Sequence, residues 1–167
     1  YIRGEFDLPY RRLAAAIDEA YEAGFLGKRI MGTDFALDLV AHRGAGSYVC
    51  GEASGLLTSL EGRKGYPRNR PPRLTVRGLY QRPTVVNNVE TLSNIVGIMR
   101  DGAAQFRTLG TAKNPGTRLI SISGHVNRPG VYEVEIGYPW AKFIHEDCGG
   151  VLGGRALKAV IPGGIST

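Results

Sequence analysis

Apolar positions in the first third of the chain recur first at helical and then at strand spacing. Leu13, Ile17, Ala20 and Tyr21 fall at helical intervals, which predicts a helix over 10–23 stopped by Gly24. Phe35, Leu37 and Leu39 alternate with Ala36, Asp38 and Val40, which predicts a strand. A glycine-rich turn over 42–48 leads through a short apolar piece, 48–50, into Gly51-Glu52. A second helix is expected there, with Leu56, Leu57 and Leu60 facing inward and Gly62 as its stop.

The pattern resumes at 84–86 as a short strand. Asn87, three residues before Glu90, predicts an N-cap with a capping box. Val89, Leu92, Ile95, Val96 and Met99 supply the expected buried stripe of the helix that follows, with Gly102 at its end. Phe106 and Leu109 suit one more helical turn, and 111–116 reads as a linker. Beyond it, 118–123 and 131–135 alternate and pair as a hairpin. Asn127-Arg128-Pro129-Gly130 between them has the residues of a type II turn. A short helix over 141–148, closed by Gly149-Gly150, and a last strand over 157–161 complete a small α+β unit.

Composition narrows the class. Of 167 residues, 24 are glycine and 9 proline, without a collagen period, and a 43% hydrophobic share excludes wholesale disorder. No apolar run reaches 18 residues, which excludes a spanning helix in this stretch, and no signal peptide is expected. A chain that begins at Tyr1 reads as a piece of a longer one. Cys50 and Cys148 are too few for a disulfide scaffold or an all-cysteine metal site, so a reduced, cytosolic compartment is expected.

The net charge of +6 is confined to one place. Between Arg63 and Arg82 lie seven basic residues (Arg63, Lys64, Arg68, Arg70, Arg73, Arg77, Arg82) and no acidic one, so the remainder of the chain sums to −1. Pro67, Pro71 and Pro72 make a helix there unfavourable, and an extended, partly polyproline loop is expected. It is either a solvated surface loop or a cradle for phosphates or an acidic partner.

Two segments carry candidate chemistry. In 44–52, Gly44 and Gly46 let the backbone turn sharply, and the helix start after them offers unpaired N–H groups to an anion such as a phosphate. The alternative is a turn that serves packing alone. Tyr48 could stack on a flat ring or lie in the core, and Glu52 could simply complement the helix dipole. In 86–88, the amides of Asn87 and Asn88 suit a ring rich in N and O atoms, such as an isoalloxazine; otherwise Asn87 only caps its helix and Asn88 is exposed. Cys50 reads as a packed small apolar residue rather than a reactive thiol.

Gly-Ala-Gly-Ser-Tyr-Val-Cys-Gly-Glu (44–52), Ser-Leu-Glu-Gly-Arg (59–63), Pro71-Pro72 and Pro-Thr-Val-Val-Asn-Asn-Val-Glu-Thr-Leu (83–92) resemble the flavin-carrying, NADH-oxidising subunit of respiratory complex I. The same block occurs in NAD-linked hydrogenases and formate dehydrogenases. Ile-Ser-Gly-His-Val-Asn-Arg-Pro-Gly-Val-Tyr (122–132) resembles the SLBB module, a ubiquitin-like β-grasp domain. The resemblance implies an α/β fold: the C-terminal part of a Rossmann-like FMN-binding domain over 1–110, then a small ubiquitin-like β-grasp (SLBB) domain over 111–167. It implies FMN and NAD(H) as cofactors. Tyr48, Gly51 and Glu52 match residues lining the flavin and nicotinamide site, and Val86, Asn87, Asn88 and Thr91 match a segment that holds FMN. NADH would pass a hydride to FMN, and electrons would leave through iron–sulfur centres toward quinone, so no catalytic nucleophile and no metal ligand is expected here. The family's four-iron cluster lies after this segment, as its first glycine-rich loop and acidic FMN loop lie before it; alone, the segment is expected to be inactive. Partners would be other subunits of a complex I-like assembly, especially the thioredoxin-like 2Fe–2S subunit. The location would be the cytoplasmic peripheral arm of an inner-membrane complex, without direct membrane insertion.

Two positions depart from the family pattern. Ala53 replaces a glutamate of the nucleotide site, and Arg73 replaces an aromatic contact for NADH. These losses bear on NADH against NADPH, and they support a rival reading as a non-catalytic scaffold in a larger redox complex. A nucleic-acid binder, resting on the 63–82 stretch, is disfavoured, because only Tyr66 and Tyr80 could stack on bases there.

Overall fold

The first helix forms where the spacing places it, one turn longer at its start. In the computed structural model, which describes residues 1–164, α1 runs Asp7–Glu22. Asp7 sits in its first turn, where a carboxylate suits the dipole, and pairs with Arg11 at 2.8 Å. Gly24 (φ +73°) ends it: the Gly24 N–H donates to Tyr21 O and the Phe25 N–H to Ala20 O, which is a Schellman motif. The chain divides into two compact units, Tyr1–Val86 and Asn87–Thr167.

In the first unit the expected strand over 35–40 does not form. Only Leu37 pairs, in a single bridge with Gly27, and Phe35, Leu37, Leu39 and Val40 remain exposed. Alternation alone does not make a strand; it needs a partner ladder, and one bridge is all that Gly27 offers. The same reason applies to 84–86, where Thr84 instead donates its N–H to Leu74 O and accepts the Leu79 N–H at its hydroxyl. The short apolar piece is a 3₁₀ turn, Tyr48–Gly51. The second helix, α2, runs Ala53–Leu60 with Leu57 fully buried and Leu56 and Leu60 half-buried. Ile17, Cys50, Ser54 and Leu57 are the buried side chains of this unit.

In the second unit, α3 (Val89–Asp101) and α4 (Ala103–Phe106) are joined at Gly102. Two details differ from the sequence reading. The cap is Asn88, whose Oδ1 accepts the Glu90 N–H at 2.8 Å, so no capping box forms at Asn87. Glu90 is then one position too early to reach back, and its carboxylate accepts the Leu119 N–H instead, at 3.0 Å. The apolar stripe is present but not buried: Val89, Leu92, Ile95, Val96 and Met99 are all exposed. Amphipathic spacing makes the helix; burial needs a second surface.

The hairpin is as expected. Strands β1 (Thr117–Ile122) and β2 (Gly130–Glu135) pair antiparallel, with Thr117 opposite Glu135 and Ile122 opposite Gly130. Their alternation sends Ile120, Ile122, Tyr132 and Val134 onto a core of Val126, Phe143, Ile144 and Cys148. The Phe143 ring meets Tyr132 and Trp140 edge-on, at 5.3 and 5.9 Å. The connection is not a type II turn. That turn needs a positive φ at its third residue, and Gly130 is instead the first residue of β2. The connection is longer, with Gly124 at φ +93°, and folds Val126 inward to bridge Val151. The helix over 141–148 is a short turn, α5 (Trp140–Lys142), that widens into a π turn over Phe143–Asp147. The expected strand over 157–161 does not form: among the described residues it has no strand to pair with. The last three positions of the expected SLBB span lie outside the described residues. No helix among the described residues is long and apolar enough to cross a membrane.

Candidate functional site

The loop over 42–52 is built on the chain's own first residues. Arg43 donates to Gly4 O through Nε (3.0 Å) and Nη2 (2.7 Å), and pairs with Asp7 at 2.8 Å. All three of its guanidinium nitrogens are engaged in holding the loop. A Cβ on Gly44 would collide with the Tyr1 hydroxyl and ring, so Gly44 is required by packing. Gly46 has φ +87°, so it is required by backbone geometry. Gly51 answers neither need: it has an ordinary φ and nothing within 4 Å of where its Cβ would lie. Of the three, only Gly51 leaves its space open for approach from outside. Tyr48 beside it is 81% exposed and touches no other ring, so it is not a core tyrosine.

Glu52 is the N-cap of α2. Its Oε2 accepts the N–H groups of Ser54 and Gly55, both at 2.9 Å, and the Ser54 hydroxyl. Its Oε1 meets Arg70 at 3.3 Å. The Ser54 hydroxyl is the main reason the Glu52 carboxyl lies below the ordinary glutamate range, with the two N–H groups and Arg70 adding to it. The expectation that this helix start offers free N–H groups to a phosphate is therefore corrected: the chain's own carboxylate takes two of them.

Cys50 is buried, its Sγ 3.8 Å from Gly55 O, in agreement with a packing role. Ala53 occupies the first position of α2.

The second candidate segment has a different character. Val86 is half-buried; Asn87, Asn88 and Thr91 are exposed. Because Asn88 caps α3, its Oδ1 is spoken for, while the Asn87 side-chain amide has no hydrogen-bond partner among the described residues. Val86 closes the first unit and Asn87, Asn88 and Thr91 belong to the second.

The fold joins three residues, Arg68, Ser54 and Glu61, that the sequence did not connect. Arg68 donates its backbone N–H to the Ser54 hydroxyl (2.8 Å), Nε to Thr58 Oγ1 (3.1 Å) and Nη1 to Gly78 O (3.0 Å), and pairs with Glu61 at 2.9 Å. Ser54 and Glu61 are its counterparts on α2. Burial pushes the Glu61 carboxyl up, but the Tyr80 N–H and Arg68 outweigh it and hold it below the ordinary range. The available signal was charge: Glu52 and Glu61 are the only acids between 44 and 86.

The sequence pattern of the Nuo51 FMN-binding domain matches residues 1–97, and that of the SLBB domain matches 118–167. The chain belongs to the Nuo51 FMN-binding domain family. It is 52% identical over its full length to a subunit of the NADH-quinone oxidoreductase of Mycobacterium tuberculosis. It is 50% identical, over 99% of its length, to the mitochondrial NADH dehydrogenase (ubiquinone) flavoprotein 1 of Dictyostelium discoideum. It spans 37% and 35% of the lengths of these two curated relatives. The crystal structure of an air-oxidized NAD+-reducing NiFe-hydrogenase superposes on 92% of the chain with a TM-score of 0.76 at 38% identity, covering 25% of that protein. The fold class follows: part of a flavin domain, then an SLBB domain. The hairpin with Phe143 and Ile144 packed against it is the described core of the SLBB part.

Proposed function

We propose that this chain is part of the NADH-oxidising flavoprotein subunit of a complex I-like enzyme, an oxidoreductase in which NADH reduces FMN by hydride transfer and electrons pass through iron–sulfur centres toward quinone. The observation that supports it most is the match of 1–97 to the FMN-binding domain, coinciding with a loop whose Tyr48 ring and Gly51 backbone face open space. A flat ring can approach there without displacing any protein atom. Bound FMN would supply the chemistry of accepting an electron pair and releasing electrons singly.

The chain's own residues bind and orient. Tyr48 offers a stacking face and Gly51 a close backbone approach. Gly44 and Gly46 set the loop that carries them. Glu52 fixes the loop to α2 and presents a charged edge with Arg70. Val86, Asn87, Asn88 and Thr91 form the second contact segment, where the free Asn87 amide is suited to ring N and O atoms and Asn88 fixes the helix start. The domain limits we assign are 1–110 and 111–167. The partners are subunits of the same assembly, foremost a thioredoxin-like 2Fe–2S subunit, on the cytoplasmic peripheral arm of an inner-membrane complex. NAD(H) is the expected dinucleotide. A glutamate restored at Ala53 is predicted to change the NADH-to-NADPH turnover ratio of the intact enzyme, and an unchanged ratio would remove Ala53 from the specificity determinants.

The test is a spectrum of the intact, full-length protein. A flavin absorbance that bleaches on adding NADH is the expected result. A colourless protein that assembles with partners would favour the scaffold reading, and a colourless protein with steeply salt-dependent RNA binding would favour the nucleic-acid reading.

A further inference from the structure

The stretch 63–82 carries seven cations and no acid, and like charges drive such a segment apart. It is nonetheless held along α2. The two acids available between 44 and 86 stand at opposite ends of that helix, and each takes one arginine of the loop. The two links are unequal. Arg70–Glu52 is 3.3 Å long with both side chains well exposed (55% and 41%). Arg68–Glu61 is 2.9 Å, with Glu61 only 8% exposed and Arg68 24%. Exposed pairs of the first kind contribute little, whereas removing one partner of the second leaves a buried charge behind.

Arg68 also reaches further than an ion pair. Its backbone N–H and Nε bind Ser54 and Thr58 on α2, and its Nη1 binds Gly78 O on the returning arm of the loop. On that same arm the Tyr80 N–H donates to the other oxygen of Glu61 at 2.8 Å. One guanidinium and one carboxylate thus fasten the outgoing arm (67–69) and the returning arm (78–81) to a single helix. A planar fork with several donors can do this; a lysine can serve only part of the set.

We propose that Arg68 is a positioning residue. Clasped to Glu61, Thr58, Ser54 and Gly78, it fixes where the cationic span 69–77, with Arg70 and Arg73, stands for an anionic dinucleotide. The proposal rests on the NADH-oxidising reading, and its test is chosen to separate the two. In the full-length protein, Arg68→Gln is expected to speed amide hydrogen exchange at Tyr80 at least tenfold. It is expected to raise the KM for NADH at least tenfold, with kcat and flavin content within twofold of the parent. Glu61→Gln should do the same, and the double variant should be no worse than either single one. Arg68→Lys should recover part of the KM.

Unchanged exchange at Tyr80 would overturn the clasp whatever the enzyme oxidises. Faster exchange with an unchanged KM, or a parallel loss of kcat and flavin, would overturn the positioning role. A parent protein that carries flavin but does not bleach with NADH would overturn the functional reading and, with it, the dinucleotide as what Arg68 positions.

Discussion

The hairpin module and the Tyr1–Val86 unit are held together by different physics. Around the hairpin, Val126, Phe143, Ile144 and Cys148 form one contiguous cluster, and alternate residues of both strands pack on it. In Tyr1–Val86 the buried side chains are Ile17, Cys50, Ser54 and Leu57, and order comes from directed polar links: Arg43 to Gly4 and Asp7, Glu52 to the start of α2, Arg68 to Glu61. An apolar core is non-directional, so it fixes a module as a whole. A polar link fixes one loop in one place. The polar unit holds the 44–52 loop, one of the two segments we assign to cofactor binding, where placement matters more than bulk stability.

The sharpest way to break this contrast is at Phe143. Phe143→Ala in the intact protein should destabilise the hairpin module by about 3–5 kcal/mol, read as a fall in its unfolding midpoint, because the ring is fully buried against Tyr132 and Trp140. The flavin spectrum at low temperature should stay intact. A loss of less than about 1 kcal/mol would mean that the cluster is not the organising core.

Acid should act on the other unit. Glu52 and Glu61 both titrate below the ordinary glutamate value of 4.5. A lowered folded value means their contribution is complete above 4.5 and is lost as pH falls through the lowered values. Hydrogen exchange over 63–82, corrected for its intrinsic pH dependence, should therefore rise below that pH before exchange in β1 and β2 does. Simultaneous opening of both regions would show that the carboxylates are not what hold the loop.

A smaller effect separates two adjacent asparagines. Asn88→Ala removes the α3 cap and should cost about 1 kcal/mol of stability. Asn87→Ala removes no hydrogen bond among the described residues and should leave stability unchanged while weakening flavin retention. The opposite pattern would exchange their roles.

Much of this could be read from residues in order. The helical spacing of Leu13, Ile17, Ala20 and Tyr21, the stop at Gly24 and the alternation in β1 and β2 are local, and local rules placed them. The misses were non-local. The strands expected over 35–40, 84–86 and 157–161 depend on partners that alternation cannot supply. The stripe on α3 shows the same limit, since periodicity marks a face without saying what covers it. The cap moved by one residue because Asn87 and Asn88 are both competent, and Glu90 found its partner at Leu119, far along the chain. At the candidate site the glycine loop was evident, but Arg68 was one cation among seven until the fold set it against Glu61.

Whether 44–52 and 86–91 face a flavin is the point on which the functional reading turns. Amide hydrogen exchange of the intact protein, with and without FMN, tests it most directly. Protection confined to those two segments, with β1, β2 and 143–148 unchanged, is the predicted result. Protection elsewhere, with 44–52 and 86–91 unaltered, would contradict it.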